Sequence, residues 1–497
     1  MTPPSALQLS LVEEITLTDD ERSVTLESEH GHVHYDGLEA GLVRAFRHLA
    51  QGDCDQATLE KLVLDTDGLG GLSWFSHLLD QMIRRCFVEF TVWSGTQRLM
   101  GLHPTVPSSE FRLVDFDPET PYQVSRFAYS RNHDGSMVIE SPRSRTLLRV
   151  YDPRAAQLWA AWSQRRTVEQ AADLTGLPLE VASLATRLLL SGGAIIDGSR
   201  EAGEECDHPL ASWEFHDLLF HARSRIGRHN YPVGATFRFL RSRPALPLDP
   251  SPQDGEGIQL ASAARRAQTA QDAALATVME SRRSVREHGA NPIGADELGE
   301  FLYRVARLRA TAQQEAHGQD EDQAESFEIG SKPYPSGGGL YELELYPVIG
   351  RCHGLDPGLY HYDARHHRLE AMKKAAFGFE KLLDHATIAA GAAARPQVLI
   401  VISARFGRVA WKYQTIAYAT VLKNVGALYQ SMYLVATAMG LAPCALGSGN
   451  SELFANLAGV CFESETSVGE FMLGSAPAGT PSAPPSITNV RPNTEIG

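Results

Sequence analysis

The sequence predicts an α+β protein in which two winged-helix-like repeats precede a larger domain built from a mixed sheet flanked by helices. Within the first 200 residues, one order of strand-like and helix-like segments occurs twice. From Ile258 onwards, apolar strand-like segments alternate with long amphipathic helices. At roughly 100–200 residues per domain, a chain of 497 residues accommodates these parts and the linkers between them.

The composition predicts a soluble, cytoplasmic protein. Hydrophobic residues make up 43% and charged residues 21% of the chain, which is ordinary for a globular protein. No segment approaches the roughly 18–20 apolar residues that span a bilayer, and Met1–Ser5 lacks the features of a signal peptide. The net charge of −15 argues against a nucleic-acid-binding surface. The six cysteines form no CxxC pair, so we expect reduced thiols, no disulfide framework and no bound metal.

The two repeats are assigned to residues 1–103 and 104–200. The predicted segments of the first repeat are Ser23–His34, Gly41–Leu49, a helix from near Asp55, Leu72–Arg85 and Phe87–Val92. Those of the second repeat are Met137–Glu140, Leu147–Val150, Arg154–Trp162, Thr167–Thr175, Leu179–Ser191 and Ala194–Ile196. Helices closed by a short hairpin are typical of a winged-helix-like unit.

The repeats are interpreted as a clamp for a peptide or its leader segment, with packing or dimerisation modules as the alternative. DNA binding is a third interpretation, based on a small basic cluster of Arg143, Arg145, Arg149, Arg165 and Arg166. Basic segments of that length are usually solvated faces, and the rest of this region is acidic. We therefore expect no nucleic-acid partner.

Residues 201–257 are predicted to form a proline-rich connector. Five prolines between Pro232 and Pro252 break helices and central strands alike. Within the connector, Trp213–His221 is interpreted as an amphipathic segment that docks its aromatic side chains on the next domain. His216 and His221 are five residues apart and do not share a helix face well, so metal ligation is the weaker alternative.

The domain at 258–474 opens with a predicted helix, Ala261 to about Glu280, that ends in a basic turn. Arginine forks and a serine hydroxyl in such a turn suit a phosphate group, and the candidates are Arg282, Arg283, Ser284 and Arg286. A surface basic turn is the alternative. The polar segment Ala312–Glu328 is predicted to be an exposed loop.

A glycine-rich turn follows that loop. Adjacent glycines let backbone N–H groups approach a ligand, and the candidate residues are Pro335, Ser336, Gly337 and Gly338. A flexible turn is the alternative. The chain contains neither GxxxxGK[ST] nor a strand–GxGxxG–helix unit, which argues against P-loop and Rossmann sites. Strands are predicted next at Glu342–Ile349 and at Leu359–Glu370, the latter as a hairpin.

The last part of the domain contains a Lys-Tyr pair between a buried strand and a long helix. The strand is predicted at Gln397–Ser403, the pair is Lys412 and Tyr413, and the helix is predicted at Thr415–Met439. Leu446 and Gly447 follow in a predicted loop. Residues 475–497 are rich in Pro, Ser and Thr and are predicted to be a disordered tail.

These segments resemble the SagB-type branch of the nitroreductase superfamily, which includes the thiazole/oxazole-modified microcin dehydrogenases and the cyanobactin-type azoline oxidases. The resemblance lies in four segments that occur in the family's order: Arg282–Arg286, Tyr334–Gly338, Trp411–Tyr413 followed by Tyr418, and Pro443–Gly447. They span most of Ile258–Leu473, a little under half of the chain. The doubled front and Trp213–His221 are similar to the peptide-clamp half of the azoline oxidases.

Two features depart from the simple nitroreductases. Gly339 and Tyr341 stand where many of them carry an Asn and a Gln that hold the flavin ring. Gly474–Pro477 stands where they carry a basic pair for the phosphate.

The resemblance implies an FMN-dependent oxidoreductase that converts thiazolines or oxazolines to azoles in a ribosomally synthesised peptide. It implies a homodimer whose partners are an azoline-containing precursor peptide, bound through its leader, and a cyclodehydratase. The implied FMN contacts are Arg282, Arg283, Ser284, Arg286, Pro335, Ser336, Gly337, Gly338, Leu446 and Gly447. A flavin nitroreductase or other small-molecule dehydrogenase, and a non-catalytic leader-peptide-binding scaffold, remain alternatives.

Lys412 and Tyr413 are implied as the catalytic pair. Tyr413 would be the base if the neighbouring Lys412 cation lowered its pKa, which is near 10 when unperturbed. The reverse assignment, with a desolvated Lys412 as base, is equally open.

Overall fold

A computed structural model describes residues 6–28, 31–52, 54–107, 111–199, 208–250, 257–260, 262–317, 324–372 and 377–479. The chain divides into two compact units, Met1–Tyr231 and Pro232–Gly497. No helix in the described ranges is long and apolar enough to cross a membrane.

The first unit combines antiparallel sheets with helices. Its strands are Gln8–Leu11 (β1), Thr16–Asp19 (β2), Val24–Ser28 (β3), Gly31–Tyr35 (β4), Cys54–Asp55 (β5), Val88–Ser94 (β6), Gln97–Pro104 (β7), Tyr122–Val124 (β8), Tyr129–His133 (β9), Ser136–Glu140 (β10), Thr146–Val150 (β11) and Ile195–Asp197 (β12). Its helices are Ala40–Gln51 (α1), Gln56–Arg84 (α2), Pro153–Ala161 (α3), Val168–Thr175 (α4), Leu179–Ser191 (α5), His208–Ala211 (α6) and Phe215–Arg223 (α7).

Local sequence explains where these helices begin and end. Thr167 and Gln170 form a reciprocal capping box at the start of α4, and Gly52 ends α1 in the left-handed conformation with φ of 80°. Two helices predicted from near Asp55 and over Leu72–Arg85 are joined in α2, which is interrupted at Gly68. The buried side chains include Phe46, Phe75 and Trp162.

The two predicted repeats share one seven-stranded sheet in the order β5-β1-β6-β7-β11-β10-β9. The boundary predicted at 103/104 therefore falls inside β7, which pairs with β6 on one side and with β11 on the other. The hydrogen-bonded ladder thus runs from one predicted repeat into the next. A single-sequence pattern does not reveal this, because strand pairing between distant segments leaves no periodic signal.

A buried carboxyl lies in this sheet. Glu89 on β6 accepts hydrogen bonds from the Tyr151 hydroxyl at 3.0 Å. Burial raises the pKa of Glu89 from 4.5 to about 7. The protonated form of Glu89 is thus favoured by the folded first unit.

The second unit carries a seven-stranded sheet with helices around it. Its strands are Gly234–Ala235 (β13), Gly257–Gln259 (β14), Ala310–His317 (β15), Ala324–Ser331 (β16), Leu343–Ile349 (β17), Gly358–Asp363 (β18), Arg368–Ala371 (β19), Val398–Arg405 (β20), Tyr413–Gln414 (β21), Leu441–Leu446 (β22) and Glu465–Ser475 (β23). Its helices are Ser262–Thr269 (α8), Leu275–Ser281 (α9), Ala295–Ala306 (α10), Glu380–Ala390 (α11), Phe406–Lys412 (α12), Ala417–Ala438 (α13) and Ser451–Ala458 (α14).

The order in this sheet is β14-β19-β18-β17-β20-β23-β22, and every ladder between its described strands is antiparallel. The sheet is therefore antiparallel rather than mixed, although the predicted α+β class is correct. All eight residues of β20 are buried, which agrees with the apolar run Val398–Ile402. Pro443 lies on the edge strand β22, where a missing N–H is tolerated.

Three elements differ from the sequence-based expectations. Most of Ala312–Glu328 is not a loop, because β15 and β16 pair as an antiparallel hairpin. Residues 318–323 lie outside the described residues. The helix predicted at Ala261–Glu280 is divided into α8 and α9. Pro443–Leu446, expected in a loop, forms most of β22.

The predicted connector belongs to both units. Its residues 208–231 lie in the first unit, whereas residues 232–250 pack on the second. The carbonyls of Pro247 and Leu248 accept hydrogen bonds from buried Arg405, each at 2.9 Å. The second unit therefore starts before the boundary predicted at 257/258. Of the predicted tail, residues 480–497 lie outside the described residues.

Candidate active site

The basic turn lies directly after α9 and meets the strand that precedes Gly447. The Val285 amide donates a 2.7 Å hydrogen bond to the carbonyl of Pro443. The hydroxyls of Ser284 and Tyr433 are 2.7 Å apart, and the Ala445 amide donates to the Tyr433 hydroxyl at 2.8 Å. Two motifs separated by about 160 residues in the chain are thus joined through Tyr433.

Arg282 and Arg286 of this turn are available to an anion. The Arg282 guanidinium lies 5.2 Å from the centre of the Tyr433 ring. Within the described part of the chain, neither Arg282 nor Arg286 has a carboxylate within ion-pair distance. Arg283, Ser284 and Arg286 line an open groove of about 410 Å³. A phosphate dianion would accept further hydrogen bonds from these side chains.

The end of β23 lies beside the basic turn. Gly474–Pro477, which stands where simple nitroreductases carry a basic pair for the phosphate, begins at this end. The amide of Gly289 donates to the carbonyl of Ser475 at 2.9 Å. This segment supplies no basic side chain, so the arginines of the turn remain the candidates for the phosphate.

The glycine-rich turn is hydrogen-bonded to the buried side chain of Asn424. The Gly337 amide donates to the Asn424 side-chain oxygen at 3.1 Å, and the Asn424 amide group donates to Ser336 at 3.2 Å and to Glu342 at 2.8 Å. The Tyr341 amide donates to the Ser336 hydroxyl at 3.1 Å. Burial raises the pKa of Glu342 above its usual range. These bonds fix the turn against α13, while Pro335 at its start is exposed.

The Lys-Tyr pair lies against Gly338 of this turn. A methyl group built on Gly338 would lie 2.6 Å from the Tyr413 hydroxyl oxygen and 3.0 Å from Lys412 Nζ. Gly338 also has φ of 65°, in the left-handed region that glycine adopts without strain. The glycine is therefore required by the close approach and by the backbone conformation.

The Lys412 ammonium is enclosed by aromatic rings and one amide. Its Nζ lies 5.4 Å from the ring centre of Phe327 and 5.9 Å from that of Phe237. The Gln314 side-chain oxygen accepts a 3.2 Å hydrogen bond from the same nitrogen. Gln314 and Phe327 are directly paired across the β15–β16 hairpin, so this hairpin places both groups beside the lysine.

The electrostatics separate the two proposed roles of the pair. Burial lowers the pKa of Lys412 below its usual range. Burial raises the pKa of Tyr413, which contradicts the expectation that the lysine cation lowers it. The geometry and the direction of these changes favour Lys412, in its neutral form, as the proton acceptor.

Leu446 and Gly447 are placed differently from one another. Leu446 is buried at the end of β22, where it pairs with Glu470 of β23. Gly447 is exposed, and a methyl group built on it would meet no atom within 4 Å. Its backbone is therefore open to a ligand.

The predicted residues lie in two clusters, and both clusters contact helix α13. Thr420 and Asn424 near the start of α13 contact the glycine-rich turn, and Tyr433 near its end contacts the basic turn. Asn424 and Tyr433 are nine positions apart on α13, which is roughly 14 Å along the helix axis at 1.5 Å per residue. The described ranges contain no group of three or more His, Cys, Asp or Glu side chains suited to a metal.

Comparison with protein families assigns the two parts of the chain. Residues 279–475 match the nitroreductase family model. This region of the second unit has the nitroreductase fold. Residues 122–230 match the model of the cyanobactin oxidase ThcOx. The resemblance drawn from the motifs and the predicted C-terminal fold are thereby confirmed.

Two curated relatives cover parts of the chain. MJ1384 of Methanocaldococcus jannaschii, which is named as a nitroreductase, is 28% identical over 174 residues, or 35% of this chain and 78% of that protein. The trifolitoxin-processing protein TfxB of Rhizobium leguminosarum bv. trifolii is 30% identical over 113 residues, or 22% of this chain and 30% of that protein. The chain thus spans less than a third of TfxB.

Two of the solved structures that the chain matches are described as having a molecule bound. A chain of the Escherichia coli microcin synthetase McbBCD complex with truncated pro-MccB17 is 16% identical and has a TM-score of 0.32, covering 52% of this chain and 91% of that one. A nitroreductase with bound FMN from Bacteroides fragilis is 16% identical and has a TM-score of 0.26, covering 45% of this chain and 98% of that one.

Proposed function

We propose that this protein is an FMN-dependent oxidase that converts azolines to azoles in a ribosomally synthesised peptide. The observation that carries the proposal is the contact of Gly338 with Lys412 and Tyr413 in a nitroreductase domain. The ThcOx-type segment before that domain supports a peptide substrate. TfxB, whose name describes peptide processing, supports the same class of substrate.

The residues present fit FMN. Arg282, Ser284 and Arg286 would hold its phosphate, since the two guanidiniums have no described carboxylate partner and Ser284 and Arg286 line an open groove. Gly338 and Gly447 would let the flavin ring approach the backbone. When bound, FMN supplies the acceptor for the hydride that an azoline loses, and oxygen is the proposed final acceptor.

The protein's part in the reaction is to take a carbon-bound proton from the azoline. Lys412 is suited to this step because its burial favours the neutral amine, and Gln314 orients that amine by accepting its N–H. The Tyr413 hydroxyl lies beside the same turn and would orient the azoline ring through a hydrogen bond. Phe237 and Phe327 flank the lysine and contribute to the burial that lowers its pKa.

The proposed partners are a second copy of this chain, the azoline-containing precursor peptide and the cyclodehydratase that would form the azolines. Exposed apolar side chains support the homodimer: Leu275 and Met279 on α9, and Tyr418 and Leu422 on the contacting helix α13, are each at least 39% exposed. The first unit is proposed to bind the peptide through its leader.

The assignment of Lys412 as base is tested by the pH dependence of kcat/KM for an azoline peptide. The rate should rise with pH through the lowered pKa of Lys412. Gln314→Glu places a carboxylate at the hydrogen-bond partner, favours the ammonium and should move this rise to higher pH. Gln314→Met serves as the uncharged control and should not move the rise in that direction. An unmoved profile in Gln314→Glu would refute the assignment.

A small-molecule nitroreductase is distinguished in the same preparation. The proposal predicts that azoline peptides lose two hydrogen atoms under air, detected by mass spectrometry, and that nitroarenes are poor substrates. Reduction of nitroarenes by NAD(P)H without any azoline oxidation would favour the alternative. A preparation that binds no flavin would favour the non-catalytic scaffold.

A further inference from the structure

A small pocket in the first unit combines an apolar wall with a basic rim. It has a volume of about 370 Å³ and lies between α7, the turn that follows α7 and the segment around Arg143. Leu218 and half-buried Trp213 form part of the wall, with the Trp213 ring centre 5.4 Å from that of His221. Arg143, Arg225 and Arg228 contribute the rim.

Among the residues that the structure describes, no acidic side chain lines this pocket, although the chain as a whole has a net charge of −15. Within the described residues, neither Arg225 nor Arg228 has a carboxylate within ion-pair distance. Arg228 donates one N–H to the carbonyl of Arg143 at 3.3 Å, which orients its guanidinium and leaves its other N–H groups for a ligand. Arg225 and Arg228 therefore place two positive charges on the rim without a described carboxylate partner.

The neighbouring Arg223 shows what a structural arginine of this segment looks like. It is half-buried at the end of α7, pairs with the carboxylate of Glu140 and donates to the Tyr129 hydroxyl at 2.6 Å. Arg225 and Arg228, two and five residues later, are exposed and have no such partner in the described part of the chain. The difference assigns Arg223 to the fold and leaves the other two for an external anion.

We propose that this pocket binds a segment of the substrate peptide in which an acidic residue adjoins a bulky apolar residue. The carboxylate would take the fork-like donors of Arg225 and Arg228, and the apolar side chain would lie on Trp213 and Leu218. A volume of about 370 Å³ suits one large side chain and its neighbours rather than a folded domain. This assignment rests on the proposal that the first unit binds the peptide.

The pocket favours a peptide over a nucleic acid. A nucleic-acid surface needs a stripe of cations that follows successive phosphates. Here the cations surround a single cavity with an apolar wall. Charge complementarity with apolar contact fits an acidic and apolar peptide segment.

The test uses fluorescence anisotropy with the full-length chain. The probes are two fluorescein-labelled octapeptides that differ only in a Phe-Leu-Glu-Glu or a Phe-Leu-Gln-Gln core. The Glu peptide should bind more tightly, and Arg225→Glu with Arg228→Glu should weaken its binding at least about tenfold, which corresponds to about 1.4 kcal/mol. Arg225→Gln with Arg228→Gln is the milder pair and should weaken it in the same direction.

Arg44→Glu is the matched control, because Arg44 is an exposed arginine of the first unit on α1 and remote in sequence from the pocket. It should bind the Glu peptide like the wild type. Equal binding of the Glu and Gln peptides, or unchanged binding in both double variants of Arg225 and Arg228, would overturn the proposal. Displacement of the Glu peptide by a single-stranded oligonucleotide at lower concentration than by unlabelled Glu peptide would also overturn it.

Failure of the pocket and failure of the oxidase are separable. Anisotropy measures binding without turnover, and azoline oxidation is followed independently by mass spectrometry. Oxidation with no preference for the Glu peptide would overturn the pocket and leave the oxidase. A preference for the Glu peptide that depends on Arg225 and Arg228, without oxidation, would support the pocket and overturn the oxidase.

Discussion

Replacement of Gly338 by alanine should impair the proposed catalysis far more than it impairs stability. The new methyl carbon would lie 2.6 Å from the Tyr413 hydroxyl oxygen, and ordinary contact begins at 3.4 Å, so that oxygen must move by about 0.8 Å. The methyl would also lie 3.0 Å from Lys412 Nζ, which Phe237 and Phe327 confine on its other side. Misplacement of a reacting group by about 1 Å can cost on the order of 10²-fold in rate.

The cost in stability is expected to be modest. Both displaced atoms are the ends of side chains, so the backbone need not move. The left-handed φ of 65° costs an alanine about 1–2 kcal/mol. Gly440→Ala provides the matched control, because Gly440 has φ of 70° and no atom within 4 Å of a methyl group built there.

The two variants should therefore lose similar free energy of unfolding in urea denaturation, while Gly338→Ala alone loses azoline oxidation by about 10²-fold in kcat. FMN content, read from visible absorbance, should be recorded for both variants. Equal activity of Gly338→Ala and Gly440→Ala would refute the placement of the Lys-Tyr pair against the turn.

Three further predictions concern other parts of the chain. Arg282→Ala with Arg286→Ala should give folded protein that has lost FMN absorbance, and full flavin retention would contradict the phosphate assignment. Lys412→Ala and Tyr413→Phe should each retain FMN while azoline oxidation falls by about 10²–10⁴-fold, with the double variant scarcely worse than either single one. Because the folded state raises the pKa of Glu89 from 4.5 to about 7, its contribution to stability is fully present below pH 4.5 and is lost as pH rises through 7. That contribution is about 3 kcal/mol at most, so Glu89→Gln should unfold at higher urea concentration than the wild type at pH 8 and not at pH 4.5; equal effects at both pH values would contradict this.

The short motifs could be predicted from the sequence because their chemistry is local. Arg282–Arg286 and Tyr334–Gly338 each place their characteristic residues within a few positions. In the structure the first segment contacts β22 and the second lies against Lys412 and Tyr413. The partners that join the motifs were not predicted. Tyr433 and Asn424 lie on α13 and look like ordinary helix residues until the fold brings the turns to them.

Gln314 and Phe327 were not predicted for a different reason. They lie in Ala312–Glu328, whose polar composition indicates a loop, whereas a hairpin with largely exposed faces is polar as well. A weak signal could have identified the hairpin. Gln314 and Ala316 alternate along one face of β15, and Phe327 lies opposite Gln314 on β16. The repeat boundary at 103/104 failed similarly, since the pairing of β7 with β11 depends on contacts more than 40 residues apart.

The central claim is tested most directly by a single anaerobic experiment. An azoline peptide is added to the FMN-loaded full-length chain without oxygen, and flavin absorbance is followed together with the mass of the peptide. The proposed oxidase should bleach one equivalent of flavin as the peptide loses two hydrogen atoms, and the colour should return when air is admitted. Bound FMN that stays oxidised while the azoline remains intact would contradict the claim.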